Sequence, residues 1–364
     1  MSVASLLEGK DICICAGAGG VGKTTTSAAI GVGMARRGLK VAVLTIDPAR
    51  RLANSLGLPE LGNEECRIEL DAPGELWAMM LDPKTTFDEI VEKHAPDAST
   101  RDAVLSNRIY KELSTAVAGS QEYMAMEKLH ELYEEGRYDL LVLDTPPTRN
   151  ALDFLDAPDR LARFIDSRSL QFFLAPSRTG LKLFSRGTGM LFSVLKRITG
   201  VDLLQDLSDF FASFGDMAQG FRERAKAVKQ LLADDRTTFL LVTSPAHEAI
   251  EEASFFRDKL EESGMPFGAV IVNRMHVEEP GEDESDLAES LGPELAEKVA
   301  RNFEDFHVLA LRDRQNVEQL TDDMGERPLI IVPYLDDDIH DLEGIEAIND
   351  HLFAGGTVAH TGAE

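Results

Sequence analysis

Short apolar runs alternate along this chain with longer stretches in which apolar residues recur at helical spacing. The runs cover residues 12–16, 41–46, 76–81, 140–143, 238–243, 269–272 and 329–332. Runs of this length are typical of strands that are buried on both faces of a parallel sheet. The helical stretches cover about 24–37, 84–136, 245–263 and 292–324, and an acidic section at 57–75 is expected to be irregular. The pattern predicts an α/β fold with a doubly wound, mainly parallel sheet.

A glycine-rich loop follows the first apolar run and leads into a helix-forming segment. Residues 17–24 fit the phosphate-binding motif G-x-x-x-x-G-K-[ST]. In such a loop the backbone N–H groups point at phosphates, and the start of the next helix adds further N–H groups. We expect Lys23 to reach the β- and γ-phosphates and Thr24 to ligate Mg²⁺; a glycine-rich turn without a ligand is the alternative. The expected nucleotide-binding residues of the loop are Gly17, Gly19, Gly20, Val21, Gly22, Lys23, Thr24 and Thr25.

Two further apolar runs are followed by aspartate, at Asp47 and Asp144. Parallel strands present their carboxyl ends at one edge of a sheet, where such folds bind ligands. Asp144 has the setting of a Walker B aspartate, which would accept a hydrogen bond from Thr24 or from a water molecule on Mg²⁺. Asp47 would orient an attacking water or bind a water molecule on the metal. The alternatives are an ordinary strand end for Asp144 and a helix N-cap before Pro48 for Asp47.

Asn273 follows another apolar run and carries a side-chain amide. The donor and acceptor of this amide complement the edge of adenine. A turn-forming asparagine at a strand end is the alternative. The sequence leaves both interpretations open.

A long insertion separates residues 140–144 from the strand at 238–243. Within it, large apolar residues recur at alternating spacings of four and three, which predicts a helix. This apolar stripe consists of Leu203, Leu207, Phe210, Phe214, Met217 and Phe221. A second apolar segment lies at 181–195. The insertion either packs on itself or forms a hydrophobic groove for a client helix.

No linker divides the chain into independent domains. We therefore expect a single P-loop domain with an inserted α-helical subdomain. The expected boundaries are 1–353 for the domain, about 84–136 and 151–235 for the helical subdomain, and 354–364 for a disordered tail.

The charge and the cysteines of the chain exclude several classes of protein. The 64 acidic residues outnumber the 37 basic ones, for a net charge of −27. Nucleic acid is not expected as a partner, because phosphate binding needs a basic surface. No apolar stretch approaches the roughly 18 residues of a membrane helix, and the N-terminus does not resemble a signal peptide. Cys13, Cys15 and Cys66 form no C-x-x-C pair. These features favour the cytoplasm.

Taken together, these elements resemble the ArsA/Get3 group of the MinD-like (SIMIBI) P-loop ATPases. The resemblance rests on the glycine-rich loop with its three threonines and on residues 47–49, 118–122, 144–148, 272–273, 303–308 and 332–335. It implies a dimeric ATPase that uses ATP and Mg²⁺, with Lys23, Asp47 and Asp144 in catalysis. Asn273 and Pro333 would lie at the adenine. One branch of the group binds tail-anchored membrane proteins in a helical groove, and another drives an arsenite pump.

Three departures from the group change what is expected of this chain. Ala18 stands where the group usually has a lysine that reaches the partner's nucleotide. The chain would therefore pair with a paralogue that keeps the lysine, or hydrolyse ATP slowly as a homodimer. The missing C-x-x-C excludes a zinc-bridged dimer, and Cys13 and Cys15 lie in a core strand, where they do not suit arsenite.

The expected function is a Mg-dependent ATPase that couples ATP binding and hydrolysis to a conformational change in its helical subdomain. This subdomain would bind a client or a partner. One alternative is a slow, nucleotide-gated carrier of hydrophobic helices or membrane proteins. The other is the ATPase subunit of an anion efflux system.

Overall fold

The computed structural model describes residues 1–47, 51–108, 110–111, 120–146, 155–165, 203–278, 292–325, 327–335, 339 and 341–354. The chain forms two compact units. The sheet unit comprises Met1–Met80, Glu135–Leu152 and Ala233–Glu364, and the helical unit comprises Leu81–Glu134 and Asp153–Leu232. The second apolar segment at 181–195 and the tail from residue 355 lie outside the described residues. The expected domain boundaries stay a prediction.

The sheet unit is built on eight described strands in the order β3-β4-β2-β5-β1-β6-β7-β8. Their bounds are β1 Ile12–Ala16, β2 Lys40–Thr45, β3 Cys66–Ile68, β4 Glu75–Met80, β5 Leu140–Asp144, β6 Thr237–Thr243, β7 Phe267–Met275 and β8 Leu329–Pro333. Neighbouring strands are parallel except for β3, which is antiparallel to β4. The predicted α/β class with a mainly parallel sheet is confirmed.

Strand β3 corrects the expectation of an irregular section at 57–75. Cys66 pairs with Ala78, and Ile68 pairs with Leu76. The strand has three residues, of which only Ile68 is buried. It lies at the edge of the sheet and carries no continuous apolar run, so the apolar pattern could not indicate it.

Six described helices belong to the sheet unit. They are α1 Val3–Leu6, α2 Lys23–Ala35, α3 Arg51–Ser55, α9 His247–Glu262, α10 Pro293–Met324 and α11 Leu342–Phe353. Ile345, Ile348 and Leu352 of α11 join the same hydrophobic core as Ala28 and Val32 of α2. Helix α11 therefore packs on the helix that follows the glycine-rich loop.

Strand β1 lies between β5 and β6, and every residue of these three strands is buried. The chain leaves β1 through α2 toward β2 on one side of the sheet. It leaves β6 through α9 toward β7 on the other side. Such a reversal opens a crevice beyond the carboxyl ends of the strands. The glycine-rich loop, which follows β1, lies at this crevice.

The described helices of the helical unit include the predicted long helix of the insertion. They are α4 Pro83–His94, α5 Ala98–Ser106, α6 Ser120–Glu135, α7 Ala157–Ile165 and α8 Leu203–Leu232. Phe210, Met217 and Phe221 of the apolar stripe are buried on α8. Phe221 stacks on Phe87 of α4 with ring centroids 5.8 Å apart. This part of the stripe thus packs inside its own unit, and no described helix has the length and apolarity of a membrane span.

A buried polar cluster joins α6 and α8 in the helical unit. Glu127, which is 1% exposed, forms an ion pair with Arg224. The Tyr123 hydroxyl donates a hydrogen bond of 2.8 Å to Glu127 Oε2. Burial raises the pKa of Tyr123 above its ordinary value. The cluster brings opposite charges and a hydroxyl together in the interior, so loss of one side chain leaves the others uncompensated.

Candidate active site

The glycine-rich loop connects the end of β1 to the start of α2. Gly17 (φ 149°) lies so close to β6 that a Cβ there would be 2.0 Å from the carbonyl oxygen of Val242. Gly22 (φ 93°) is the N-cap of α2, and a Cβ there would lie 2.2 Å from Nδ2 of Asn273. Only glycine combines these backbone angles with such close approaches. The loop therefore brings the N–H groups at the start of α2 to the carboxyl edge of the sheet.

The Lys23 ammonium group lies over the loop. Its Nζ donates to the carbonyl oxygens of Gly17 at 2.9 Å and Ala18 at 2.8 Å. Burial lowers the pKa of Lys23 from its ordinary value, while Asp144 and Asp47 act in the opposite direction. A buried cation therefore stands beside the loop whose N–H groups hold phosphates in this motif.

Asp144 ends β5 and is buried beside Thr24. Its Oδ2 accepts hydrogen bonds of 2.7 Å from the hydroxyls of Thr24 and Thr45. Its Oδ1 is buried without a hydrogen-bond partner in the described part of the chain. Burial raises the pKa of Asp144 to about 6, although the hydrogen bonds from the two threonines and the charge of Lys23 oppose the rise. A buried carboxylate with one unpartnered oxygen suits a hard cation or a water molecule bound to one.

Asp47 follows β2 and lines a cavity of about 340 Å³ at the start of α2, which we call the phosphate cavity. The other residues of its wall are Gly20, Gly22, Lys23, Thr24, Thr25, Arg51, Thr145 and Arg274. Arg51 Nη1 lies 3.4 Å from Asp47 Oδ2. Residues 48–50, on which the N-cap alternative depends, lie outside the described residues. The cavity combines helix N–H groups, cations and one carboxylate on its wall.

Asn273 lies within β7, which continues to Met275, beyond the predicted strand end. The side chain is 6% exposed. Its Nδ2 donates to the carbonyl oxygen of Val21 at 2.9 Å, and its Oδ1 accepts from the backbone N–H of Arg274 at 3.0 Å. The amide thus ties β7 to the glycine-rich loop, a contact that neither interpretation of the sequence included. Its contact with adenine stays a prediction.

The structure brings most of the expected site residues to the phosphate cavity. Gly20, Gly22, Lys23, Thr24, Thr25 and Asp47 line it, Asp144 is bonded to Thr24, and Gly17 is bonded to Lys23. Gly19 and Val21 line a neighbouring cavity of about 460 Å³ together with Ala18, His276, Arg312 and Tyr334. Because of these rings, we call it the aromatic cavity. Pro333 ends β8 and lines a third cavity of about 590 Å³, away from the phosphate cavity.

Thr45, Arg51 and Arg274 were missed by the sequence analysis. Thr45 could have been found, because it is the last residue of a strand whose end was already expected at the site. Arg51 follows Asp47 by four residues, a spacing that pairs opposite charges on a helix. Arg274 had no comparable signal, since its position depends on the backbone of a single residue.

The three cysteines are placed as core or edge residues. Cys13 and Cys15 are buried in β1, and Cys66 is half-buried in β3. Within the described ranges, no group of three or more His, Cys, Asp or Glu side chains is arranged to hold a metal ion. Cys13 and Cys15 belong to the hydrophobic core of the sheet unit, and Cys66 packs against it.

A model of the anion-transporting ATPase family matches residues 10–318. A Malassezia globosa protein named ATPase GET3 is 26% identical over 267 residues, which cover 73% of this chain and 73% of that protein. An Aspergillus terreus protein named ATPase get3 is 24% identical over 332 residues, which cover 88% and 90%. An Aquifex aeolicus protein that carries the name of an arsenical pump-driving ATPase is 25% identical over 343 residues, which cover 93% and 77%. The matched range includes the whole wall of the phosphate cavity but not Pro333.

Proposed function

Because the chain belongs to the anion-transporting ATPase family, we propose that it binds ATP with Mg²⁺ in the phosphate cavity and couples hydrolysis to a conformational change of its helical unit. Family membership makes the chain an ATP-hydrolysing P-loop enzyme. The identity of the metal, the roles of the residues and the coupling are our proposal.

The contact that carries the proposal is the hydrogen bond from Thr24 to Asp144. Because the Thr24 hydroxyl donates its proton to Asp144 at 2.7 Å, its oxygen lone pairs remain available to a cation. The unpartnered Oδ1 of Asp144 can accept from a water molecule on the same cation. Mg²⁺ is bound by oxygen ligands and keeps several of its waters. When bound, it would neutralise charge on the phosphates.

The other polar residues of the cavity divide the remaining roles. We assign Lys23 to the β- and γ-phosphates, for which it would exchange its bonds to the Gly17 and Ala18 carbonyls. We assign Asp47 to the attacking water, since a partly buried carboxylate can orient it and accept its proton. Arg51 would hold Asp47 in position through their 3.4 Å contact.

Replacement of Lys23 by alanine tests the assigned site. The Lys23→Ala variant is expected to lose ATPase activity by about 100-fold or more, as when one preorganised donor to a transition state is removed. Phosphate release under saturating Mg-ATP measures this. Lys10→Ala is the matched control, because Lys10 is an exposed lysine that also bonds a backbone carbonyl in the sheet unit. Activity that persists in Lys23→Ala would show that hydrolysis occurs elsewhere.

The proposal includes a dimer. Ala18 bears on whether this dimer is formed with a lysine-bearing paralogue or with a second copy of the chain. Ala18 lines the aromatic cavity beside the glycine-rich loop and carries no charge. The chain would pair with a lysine-bearing paralogue or hydrolyse slowly as a homodimer. A comparison of ATPase rates between the purified chain and Ala18→Lys tests this. A fast rate that the added lysine leaves unchanged would refute it.

The connection of the chain supports the proposed coupling to the helical unit. The helical unit begins at Leu81, directly after β4, and resumes at Asp153, shortly after Asp144. Changes at the metal-binding carboxylate would therefore pass along the backbone into this unit. A hydrophobic client helix remains an alternative role, for which the described part of the stripe gives no support because it is buried. Co-elution with a transmembrane peptide in only one nucleotide state would favour that role.

A cytoplasmic location and the exclusion of nucleic acid as a partner also belong to the proposal. The exclusion of nucleic acid rests on the acidic composition, and the cytoplasmic location rests on the cysteine pattern, which contains no C-x-x-C pair. An anion efflux role would need a ligand site other than Cys13 and Cys15, because both thiols are buried in β1.

A further inference from the structure

Arg274 has an unusual backbone conformation next to the glycine-rich loop. Its φ is 61°, and no other non-glycine residue among those described has a positive φ. Asn273 Oδ1 accepts the N–H of Arg274 at 3.0 Å, and the pairing of β7 with β8 shifts register between Val272 and Met275. A side chain disfavours this conformation, which persists only where the surroundings enforce it and is found often at ligand sites.

The conformation brings the Arg274 side chain to the glycine-rich loop. Nη1 donates to the carbonyl oxygen of Gly20 at 3.4 Å, and the side chain is otherwise exposed. No carboxylate forms an ion pair with it in the part of the chain that the structure describes. In contrast, the Arg312 guanidinium of the aromatic cavity is bonded to Asp313. Among the described residues, Arg274 is therefore a cation without an ion-pair partner, and it can contact a ligand.

Arg274 belongs to the walls of both the phosphate cavity and the aromatic cavity. Arg274 therefore lies where the two cavities adjoin, beside the loop whose N–H groups point toward phosphates in this motif. A nucleotide whose phosphates occupy the phosphate cavity can extend its ribose and base into the adjoining aromatic cavity, whose wall also includes Arg274.

The aromatic cavity, whose wall includes Arg274, offers flat aromatic surfaces for a base. In the aromatic cavity the rings of His276 and Tyr334 are nearly parallel, with centroids 5.3 Å apart and an interplanar angle of 9°. Tyr334 is 53% exposed. A planar guanidinium stacks on aromatic faces, whereas a lysine ammonium does not offer a plane.

We propose that Arg274 contacts the nucleoside half of bound ATP, covering the base where it leaves the phosphate cavity, and so fixes the position of the nucleotide. This inference rests on the proposed ATPase function. Asn273 serves it indirectly, because its amide holds both the loop and the backbone of Arg274.

Titration calorimetry with Mg-ATP, Mg-ADP and inorganic tripolyphosphate tests the inference. The Arg274→Gly variant removes the guanidinium, and its backbone adopts a φ of 61° without strain, so the fold is retained. We expect ATP and ADP to bind roughly 5- to 30-fold more weakly, by the same factor, and tripolyphosphate to bind unchanged. Arg274→Lys is expected to lose affinity for ATP as well, because it keeps the charge but not the plane.

The matched control is Arg327→Ala. Arg327 Nη1 bonds the carbonyl oxygen of Phe267 at 3.4 Å, at the opposite end of β7. This variant should bind ATP like the unaltered chain. Equal weakening of tripolyphosphate, a larger loss for ATP than for ADP, or full rescue by Arg274→Lys would place the guanidinium on phosphate and overturn the inference. Unchanged ATP affinity in Arg274→Gly would also overturn it, whereas failure of the unaltered chain to bind ATP would refute the ATPase proposal itself.

Discussion

Asp144 carries a buried charge whose cost is measurable as a pH-dependent effect on stability. The perturbation is Asp144→Asn, studied without nucleotide or metal. An asparagine oxygen can still accept from the hydroxyls of Thr24 and Thr45, which now bond Oδ2 at 2.7 Å. The substitution therefore removes the charge and keeps the acceptor. The stability difference between variant and unaltered chain has one part that depends on pH, and this part reports the carboxylate.

The pKa of Asp144 determines the size and the sign of this part. Burial raises that pKa from 3.8 to about 6. Because the folded pKa is the higher one, ionisation lowers the free energy of unfolding; this cost is fully present above pH 6 and disappears as the pH falls toward 3.8. The cost is about 3 kcal/mol at pH 8 and roughly half of that at pH 5. The advantage of asparagine in the free energy of unfolding should therefore shrink by roughly half of this cost between pH 8 and pH 5.

The single tryptophan of the chain makes the unfolding measurement specific to the sheet unit, which also contains Asp144. Trp77 lies in β4 of the sheet unit, where its Nε1 donates to Glu75 Oε2 at 3.1 Å. Urea unfolding followed by Trp77 fluorescence at pH 8 and pH 5 thus reports the unit that contains Asp144. Dilute protein is required at pH 5, since the isoelectric point is about 4.7.

Asp313, in the same unit, provides a control because its pKa is shifted in the opposite direction. Burial alone would raise the pKa of Asp313, but hydrogen bonds from Arg312 and His276 keep it below its ordinary value. Asp313→Asn should lower the free energy of unfolding at both pH values. A constant advantage for Asp144→Asn at pH 8 and pH 5, or one that grows toward pH 5, would refute the assignment of a raised pKa to Asp144.

Two further variants test the loop and the helical unit. Gly22→Ala should weaken ATP binding by roughly 10-fold or more in calorimetry, because its Cβ would displace the Asn273 amide; Gly38→Ala has a similar φ (94° against 93°) in open space and should bind ATP normally. Equal losses in the two variants would assign the effect to backbone strain alone. Glu127→Gln should destabilise the helical unit by roughly 1–3 kcal/mol, because it removes the buried charge that pairs with the half-buried Arg224. Faster hydrogen exchange in α6, with Glu134→Gln as an exposed control, measures this loss; unchanged exchange would contradict it.

The sequence could predict the parts of this site that depend on local pattern. Residues 17–24 form a contiguous motif, and the apolar runs before Asp47 and Asp144 indicate buried parallel strands. Because parallel strands share an edge, these residues were expected to meet, and the bond between Thr24 and Asp144 agrees with that expectation. The fold class followed from the same runs.

The parts that the sequence could not predict depend on single backbone angles and on pairings between distant residues. The positive φ of Arg274 has no compositional signal, since arginine rarely adopts it. The cluster of Tyr123, Glu127 and Arg224 joins helices that are far apart in the chain. The sequence shows that Asn273 carries an amide at the end of an apolar run. Only the structure shows that this amide donates a hydrogen bond to the carbonyl oxygen of Val21.

The packing of α11 on α2 has a consequence for synthesis on the ribosome. The Arg37 guanidinium lies 4.1 Å from the ring centroid of Phe353, and Arg36 pairs with Glu346. Since α2 follows the glycine-rich loop directly, a nascent chain that has not yet reached Leu342 leaves an apolar face of this helix uncovered. We therefore expect the loop to become competent to bind phosphate only after α11 has emerged from the exit tunnel and covered this face.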